Sequence, residues 1–321
     1  MRNLTKSLIA GAALLAAVCA TAQSYPNKPI HFVVGFPAGS SIDVVSRIVL
    51  DDIRARTGAT IVIDNKAGAL GALGIEATAR SAPDGYTLTA SSSATHSSGP
   101  HLSIALQKLE PVSSLTHIAR SVRFDIAVVT ATSGPHKTAR ALIDAARAKP
   151  DTLTYGFGSG TGQVSSAAFS HTAGIQVRAI PYKGQPAAVT DLLGGRIDFV
   201  SSDLGAVLSF LKQGNLTAIA VLSEKRSPLL PDVPTAQEAG IGPVVLTGWI
   251  GIDGPAKMPA EVSAWWAEQL RTTLASAPVQ EKLRAIGMEP ALLTGEPLVR
   301  FVEAEQERWG THVRDAGIQA E

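Results

Sequence analysis

The octapeptide Phe36-Pro37-Ala38-Gly39-Ser40-Ser41-Ile42-Asp43 links a short apolar run, Ile30 to Phe36, to an amphipathic pattern from Val44 to Arg56. A small-residue loop that feeds a helix leaves the first-turn N–H groups without intrahelical partners, with the positive end of the helix dipole behind them. Such a loop can receive an anion. This one contains no Lys or Arg, so backbone and hydroxyl donors would have to hold it. Two further stretches repeat the chemistry: Ser91-Ser92-Ser93-Ala94-Thr95, followed by His96, and Gly158-Ser159-Gly160-Thr161, with Gln163 just beyond. The plain alternative is that these are tight strand-to-helix connections carrying N-caps. Ser40 would then be the cap, with Asp43 three residues on as a variant capping box. Three neutral, donor-rich loops facing one cleft would instead grip a carboxylate through hydrogen bonds worth about 0.5–1.5 kcal/mol each, and more to an ionised acceptor.

Other chemistries fail on spacing. The nucleophile-elbow pattern is absent, because Phe157 stands where Ser159 would need a preceding glycine, and the seven histidines are dispersed. No H-E-x-x-H occurs, and His96 and His101 have no carboxylate near them in sequence, so no metal centre is expected. Gly156-Phe157-Gly158-Ser159-Gly160-Thr161-Gly162-Gln163 lies in the right context for a dinucleotide loop, but neither glycine register completes the pattern. No cofactor is expected.

Short apolar runs alternate with helical patterns along the chain, and these must position the loops. Strands are expected at Ile30–Phe36, Ala59–Asp64, Thr87–Ser91, Ile118–Val122, Ile126–Thr130, Thr152–Gly156, Gln176–Ile180, Asp198–Ser201, Leu216–Leu222 and Gly248–Ile252. Helices are expected at Ser41–Thr57, Gly71–Arg80, Thr138–Lys149, Gly162–Ala173, Ala187–Leu193, Leu204–Lys212, Ala260–Ala275, Pro278–Ile286 and Pro297–Asp315. This order implies βαβ units whose ligand crevice lies at the carboxyl ends of the strands. The segment Ser227-Pro228-Leu229-Leu230-Pro231-Asp232-Val233-Pro234 is too rich in proline for regular helix or central strand. The expected fold is α/β with two lobes, each a mostly parallel sheet flanked by helices: residues 23–124 and 226–321 in the first, 125–225 in the second.

Composition sets the remaining bounds. Met1 to Lys6 form a basic start, Ser7 to Ala20 an apolar run, and Ala20-Thr21-Ala22 a small-residue cleavage pattern. Residues 1–22 are therefore expected to be an export signal cleaved after Ala22. The apolar run is shorter than the ~20 residues a membrane span needs. Cys19, the one cysteine in the 321 residues, lies inside that segment, so the exported protein would have no thiol or disulfide. The 28 Lys and Arg nearly balance the 27 Asp and Glu, which argues against a nucleic-acid partner.

The chain resembles the Bug-type substrate-binding proteins of tripartite tricarboxylate transport systems. The landmarks are Tyr25-Pro26-Asn27-Lys28-Pro29-Ile30, Phe36-Pro37-Ala38-Gly39 with Asp43, Ala82-Pro83-Asp84-Gly85-Tyr86-Thr87-Leu88, Pro181-Tyr182-Lys183-Gly184, Asp191-Leu192-Leu193-Gly194-Gly195, and Arg226 to Thr235. The resemblance implies a periplasmic receptor with the type II Venus-flytrap fold, and the chain is expected to act as a monomer. The resemblance implies closure around a small carboxylate and delivery to membrane permease subunits. It places one grip at Phe36, Ala38, Gly39, Ser40, Ser41 and Asp43, and the other at Gly158, Ser159, Gly160 and Thr161. Ser91, Ser93, Thr95 and His96 would line the floor, with Gln163 and Asp203 beside it. Three positions depart from the family pattern: Ser40 replaces a usual glycine, Val164 a frequent histidine, and Ser201-Ser202-Asp203 a frequent Phe-Asp-Asn. These departures shift the expected ligand away from an amino dicarboxylate, unless Asp203 supplies the ammonium's partner, and toward an aromatic or aliphatic mono- or dicarboxylate. An extracytoplasmic sensor and an exported hydrolase are the other classes open to an exported two-lobed chain.

Overall fold

The structure is a computed structural model and describes residues 25–320. The expected export signal, residues 1–22, lies outside the described residues. The first strand, β1 (Ile30–Val34), is buried except at His31. It leads through the candidate loop into α1 (Ser41–Thr57). That helix buries Ile42, Val45, Val49, Leu50 and Ile53, which fall on one stripe at three- and four-residue spacing. Next come β2 (Ile61–Asn65), α2 (Ala72–Ala79) and β3 (Thr87–Ser92). Short helical turns over residues 93–114 then lead to β4 (Leu115–Ala131). The chain continues through α3 (Ala139–Ala148), β5 (Thr154–Phe157), α4 (Gly160–Thr172), β6 (Arg178–Pro181), α5 (Gln185–Leu193), β7 (Val200–Asp203), α6 (Leu204–Lys212) and β8 (Leu216–Val221). It closes with β9 (Thr247–Pro255), α7 (Ala260–Ala275), α8 (Ala277–Ala285), β10 (Glu289–Thr294) and α9 (Gly295–Asp315).

The long strand β4 organises the molecule. Sequence reading split it into two, because Arg123 and Asp125 interrupt the apolar run; the backbone passes through them unbroken. From Leu115 to Asp125 it pairs antiparallel with β9, and β10 joins its other side. From Ile126 onward its partners are β7 and β8, also antiparallel. The first lobe's sheet runs β2-β1-β3-β9-β4-β10, parallel over its first three strands and antiparallel thereafter. In the second lobe β6 and β5 pair in parallel, and Tyr155 of β5 bridges Phe199, which adjoins β7. Both sheets are therefore mixed, with helices on their faces.

Residues 226–246, given to the first lobe by the sequence reading, run along the second. Thr235 bridges Val221, and Leu229, Leu230 and Val233 pack on the cluster containing Ala127, Val129, Leu192 and Val200. β10 has no counterpart among the expected strands. It is half-buried at every position, so it shows no alternation, and it occupies the sheet edge. Trp266 and Trp309 are fully buried, and Trp265 packs against the core. The Trp266 indole N–H donates to Tyr25 Oη at 2.6 Å, and that of Trp309 to Glu305 at 3.2 Å, so neither burial strands a donor.

Candidate functional site

Five connections converge on a cavity of about 60 Å³. The β1–α1 loop contributes Phe36, Pro37, Ser40, Ser41 and Ile42, and the end of β3 contributes Ser92, Ser93 and Ala94. From the second lobe come Gly158, Ser159 and Thr161 before and within α4, Gly184, Gln185 and Pro186 opening α5, and Asp203 and Ala206 opening α6. Phe124 and Ile250, on the paired central strands, close the wall. Four helix N-termini thus face one small space, each carrying roughly half a positive charge. Among the described residues, no Lys, Arg or His lines it.

The β1–α1 loop is held from outside the cavity. Gly39 has φ +81, a left-handed turn that a side chain would strain, and its N–H donates to the Asp43 carboxylate at 2.9 Å. Asp43 also accepts from Arg47 through two hydrogen bonds and from Asn65 at 2.9 Å. Burial alone would raise the Asp43 carboxyl, but these hydrogen bonds and the Arg47 charge outweigh it and hold the group below its ordinary range. Asn65 donates as well to the Phe36 carbonyl at 3.0 Å. Asp43 therefore anchors the loop and does not line the cavity. The expected capping box does not form. Ser40 occupies the N-cap position, but its side chain makes no cap bond. Its hydroxyl is buried and has no hydrogen-bond partner among the described residues. A buried hydroxyl in that state is costly unless a partner arrives.

The two lobes touch across the cavity. The Ser41 hydroxyl donates to Asp203 Oδ1, which also accepts from the Ala206 N–H at 3.0 Å as the cap of α6. Burial pushes the Asp203 carboxyl above its ordinary value, and the Ser41 and Ala206 hydrogen bonds offset this only in part. A carboxyl biased toward its neutral form repels an incoming anion less than an ionised one would. Ser93 Oγ and Thr161 Oγ1 lie 3.4 Å apart. Ser159 caps α4 by accepting from the Gly162 N–H at 3.1 Å. Gly158 lies so close to the next loop that an added Cβ would sit 2.0 Å from the Gly184 carbonyl carbon. Its N–H donates to the Gln185 side chain at 3.1 Å.

Of the residues singled out from sequence, Phe36, Ser40, Ser41, Ser93, Gly158, Ser159, Thr161 and Asp203 come together at the cavity. Ala38 and Gly39 are exposed on the outer side of their loop. Gly160 packs toward Ser98 and Leu102, where an added Cβ would meet Ser98 Oγ at 2.7 Å. Gln163 is half-buried and does not line the space, and Val164 is fully buried in the core, so its replacement of a histidine does not change the wall. Ser91, Thr95 and His96 are buried beyond the cavity's floor. They belong to a network around Asp253, itself 2 % exposed. Ser91 donates to Asp253 Oδ1 at 2.8 Å, and His117 Nδ1 lies 2.8 Å from Oδ2. His96 Nε2 is 2.9 Å from the same oxygen but out of line for a hydrogen bond, while its Nδ1 meets Thr95 Oγ1 at 2.9 Å. The carboxylate that sequence spacing denied His96 thus arrives from β9. The facing atoms of His96, His117 and Asp253 lie within 4.8 Å of one another, close enough for a cation. His117 and Asp253 already satisfy each other at hydrogen-bond distance, and we assign the group to structure.

The Gly184-Gln185-Pro186 loop was missed, although it obeys the same strand-to-helix rule as the others and sits in the Pro181-Tyr182-Lys183-Gly184 motif. Ser92 and Ala94 lay within a stretch already singled out. Phe124 and Ile250 had no local signal, because only sheet pairing brings them to the cavity.

Two α/β lobes sharing a long strand, with helix N-termini from both meeting at one small cavity, define a binding protein of the periplasmic two-lobed class. The chain belongs to the tripartite tricarboxylate transporter receptor family, whose pattern it matches over residues 45–318. This is a family of substrate-binding receptors, not of enzymes. The chain is 34% identical over 304 residues to protein BugT of Bordetella pertussis, covering 93% of this chain and 92% of that one. Among solved structures it is similar to R. palustris Rpa4515 with adipate, at TM-score 0.88 and 28% identity, over 92% of this chain and 100% of the other. It is also similar to the periplasmic binding protein BugD, at TM-score 0.84 and 28% identity, with the same coverage.

Proposed function

We propose that this protein captures a small carboxylate between its two lobes in the periplasm, after loss of residues 1–22, and delivers it as a monomer to membrane permease subunits. The observation that carries the reading is the convergence of four helix N-termini and the unpartnered Ser40 hydroxyl on a cavity without a cation. Dipoles and neutral donors suit one desolvated carboxylate end, and a carboxylate completes the Ser40 hydrogen bond that the fold leaves open. The adipate bound by the R. palustris relative supports the ligand class. The lobe division that fits is residues 25–125 with 247–320 against 126–246, which makes β4 and the crossing near residue 247 the connections about which the lobes would move. A thermal-shift panel of aliphatic, aromatic and amino carboxylates tests the reading. Saturation at 100-fold Kd adds about 2.7 kcal/mol, a readily measured shift. Stabilisation by plain carboxylates is expected; a response to amino acids alone, or to none of the panel, refutes it.

A further inference from the structure

Of the four helix starts that face the cavity, three belong to the second lobe, and one side chain ties them together. Gln185 is the first residue of α5, lines the cavity and is only 8% exposed. Its Oε1 accepts from the Gly158 N–H at 3.1 Å, two residues before α4 begins. Its Nε2 donates to the Ser201 carbonyl at 3.4 Å, two residues before Asp203 caps α6. Gly162, in the first turn of α4, lies against the same amide. A Cβ added there would meet Gln185 Oε1 at 3.1 Å, the Ser201 carbonyl oxygen at 3.3 Å and Ser159 Oγ at 3.5 Å. An N–H only donates and a carbonyl only accepts, so these partners fix which end of the amide is oxygen and which is nitrogen.

Helix N-termini attract an anion jointly only when their N–H groups point into the same space, because the dipole acts within the first turn. The loops that carry these three starts are far apart in sequence, so their mutual placement depends on what joins them. We infer that Gln185 is the positioning residue of the second-lobe grip: its neutral amide gives one acceptor to the loop before α4 and one donor to the strand before α6, and so holds three helix starts in the arrangement that receives a carboxylate. The inference rests on the carboxylate reading above. Both properties of the side chain matter. An apolar side chain of similar length leaves the Gly158 N–H and the Ser201 carbonyl without these partners. An ionised carboxylate cannot donate to Ser201, and it sets a negative charge in the wall that an anion must approach. In the wild type Asp203 is the one ionisable side chain lining the cavity among the described residues, and Lys183, two positions before Gln185, is exposed.

Titration calorimetry of the whole exported chain with hexanoate, adipate and benzoate tests this, using the wild type, Gln185→Met and Gln185→Glu near pH 5 and pH 8. Each variant is compared with the wild type at the same pH, which removes the titration of the acid itself from the comparison. Gln185→Met should bind about five- to tenfold more weakly at both pH values, the worth of about one hydrogen bond. Gln185→Glu should bind more weakly still at pH 8 and recover toward the wild type at pH 5. A protonated carboxyl again offers one acceptor and one donor, and a bound anion draws the proton onto it, so relative affinity rises as pH falls. A side chain that only stabilised the fold would shift the urea midpoints of both variants without this recovery. If Gln185→Met binds as the wild type does, or if the deficit of Gln185→Glu is the same at both pH values, the positioning role is overturned while the carboxylate site stands. If the wild type binds none of the three acids, the carboxylate reading falls and takes this inference with it.

Discussion

Replacing Asp253 by Asn tests the electrostatic logic beneath the cavity floor. The carboxylate is buried and faces His117 Nδ1 at 2.8 Å, and the other ring nitrogen of His117 lies 2.9 Å from the Val112 carbonyl. A carbonyl only accepts, so that Nε2 must carry a proton; Nδ1, facing a carboxylate, must carry one too. The geometry therefore calls for an imidazolium–carboxylate pair. Burial alone would lower the His117 pKa, but the Asp253 charge and hydrogen bond, with the Val112 carbonyl, raise it above its ordinary 6.5. Burial would likewise raise the Asp253 carboxyl, yet the charge of His117 leads the effects that drive it far below 3.8. The signs follow from linkage. The His117 contribution is fully present below pH 6.5 and is lost as pH rises through the raised folded value. The Asp253 contribution is present above 3.8 and is lost as pH falls toward its depressed folded value. The wild-type stability that this pair supplies should therefore be flat between these limits and decline on the alkaline side. Removing one partner of a buried ion pair costs about 3–5 kcal/mol when the other stays charged. In Asp253→Asn, His117 can escape by losing its proton, so the cost should be largest near pH 6 and smaller at pH 8. Urea unfolding at both pH values measures this, with the midpoint shifting at constant slope. A loss below about 1 kcal/mol at pH 6, or one that grows with pH, would refute the pair.

Two further substitutions address the cavity directly. Ser40→Leu and Thr161→Leu each place a branched side chain into about 60 Å³ of space, and neither wild-type hydroxyl anchors the fold, since among the described residues Ser40 Oγ has no partner and Thr161 Oγ1 has only the 3.4 Å contact to Ser93. Carboxylate binding should disappear by calorimetry, with unfolding midpoints changed by no more than about 1 kcal/mol equivalent. Unchanged affinity in both would remove these loops from the grip. Gly158→Ala forces a methyl against the Gly184 and Gln185 backbone, at 2.0 and 2.2 Å before relaxation. It should cost about 1–3 kcal/mol of stability and weaken carboxylate affinity by at least about tenfold, because the two second-lobe loops must separate; a fully stable variant with wild-type affinity would contradict the close approach.

Much of this architecture was legible because local chemistry and tertiary role agree. The helices Ser41–Thr57, Leu204–Lys212 and Ala260–Ala275 fall where their apolar spacing places them. The Phe36–Ser41 and Gly158–Thr161 loops, read as small-residue strand-to-helix connections, do reach one cavity from opposite lobes. The failures have physical causes. Asp43 and Ser40 looked like cap partners by spacing, but Arg47 and Asn65 claim the carboxylate in space and leave the hydroxyl free. His96 lay in a polar stretch that reads as a cleft floor, yet its partner Asp253 stands 157 positions away on an antiparallel strand. β10 carries no period because an edge strand half-covered by helices has no consistently dry face.

The sequence by itself determined the class of chemistry: neutral, hydroxyl-rich loops at helix starts, no cysteine beyond Cys19, and an even balance of charge. These are properties of residue type and short spacing, and folding does not alter them. Only the tertiary structure decided which donors are spent on the fold and which remain for a ligand. A hydrogen-bonding group near a site is available only if no closer neighbour satisfies it, and the neighbours that satisfy Asp43 and His117 and leave Ser40 unpartnered among the described residues lie on separate elements brought together by β4 and the sheets built on it.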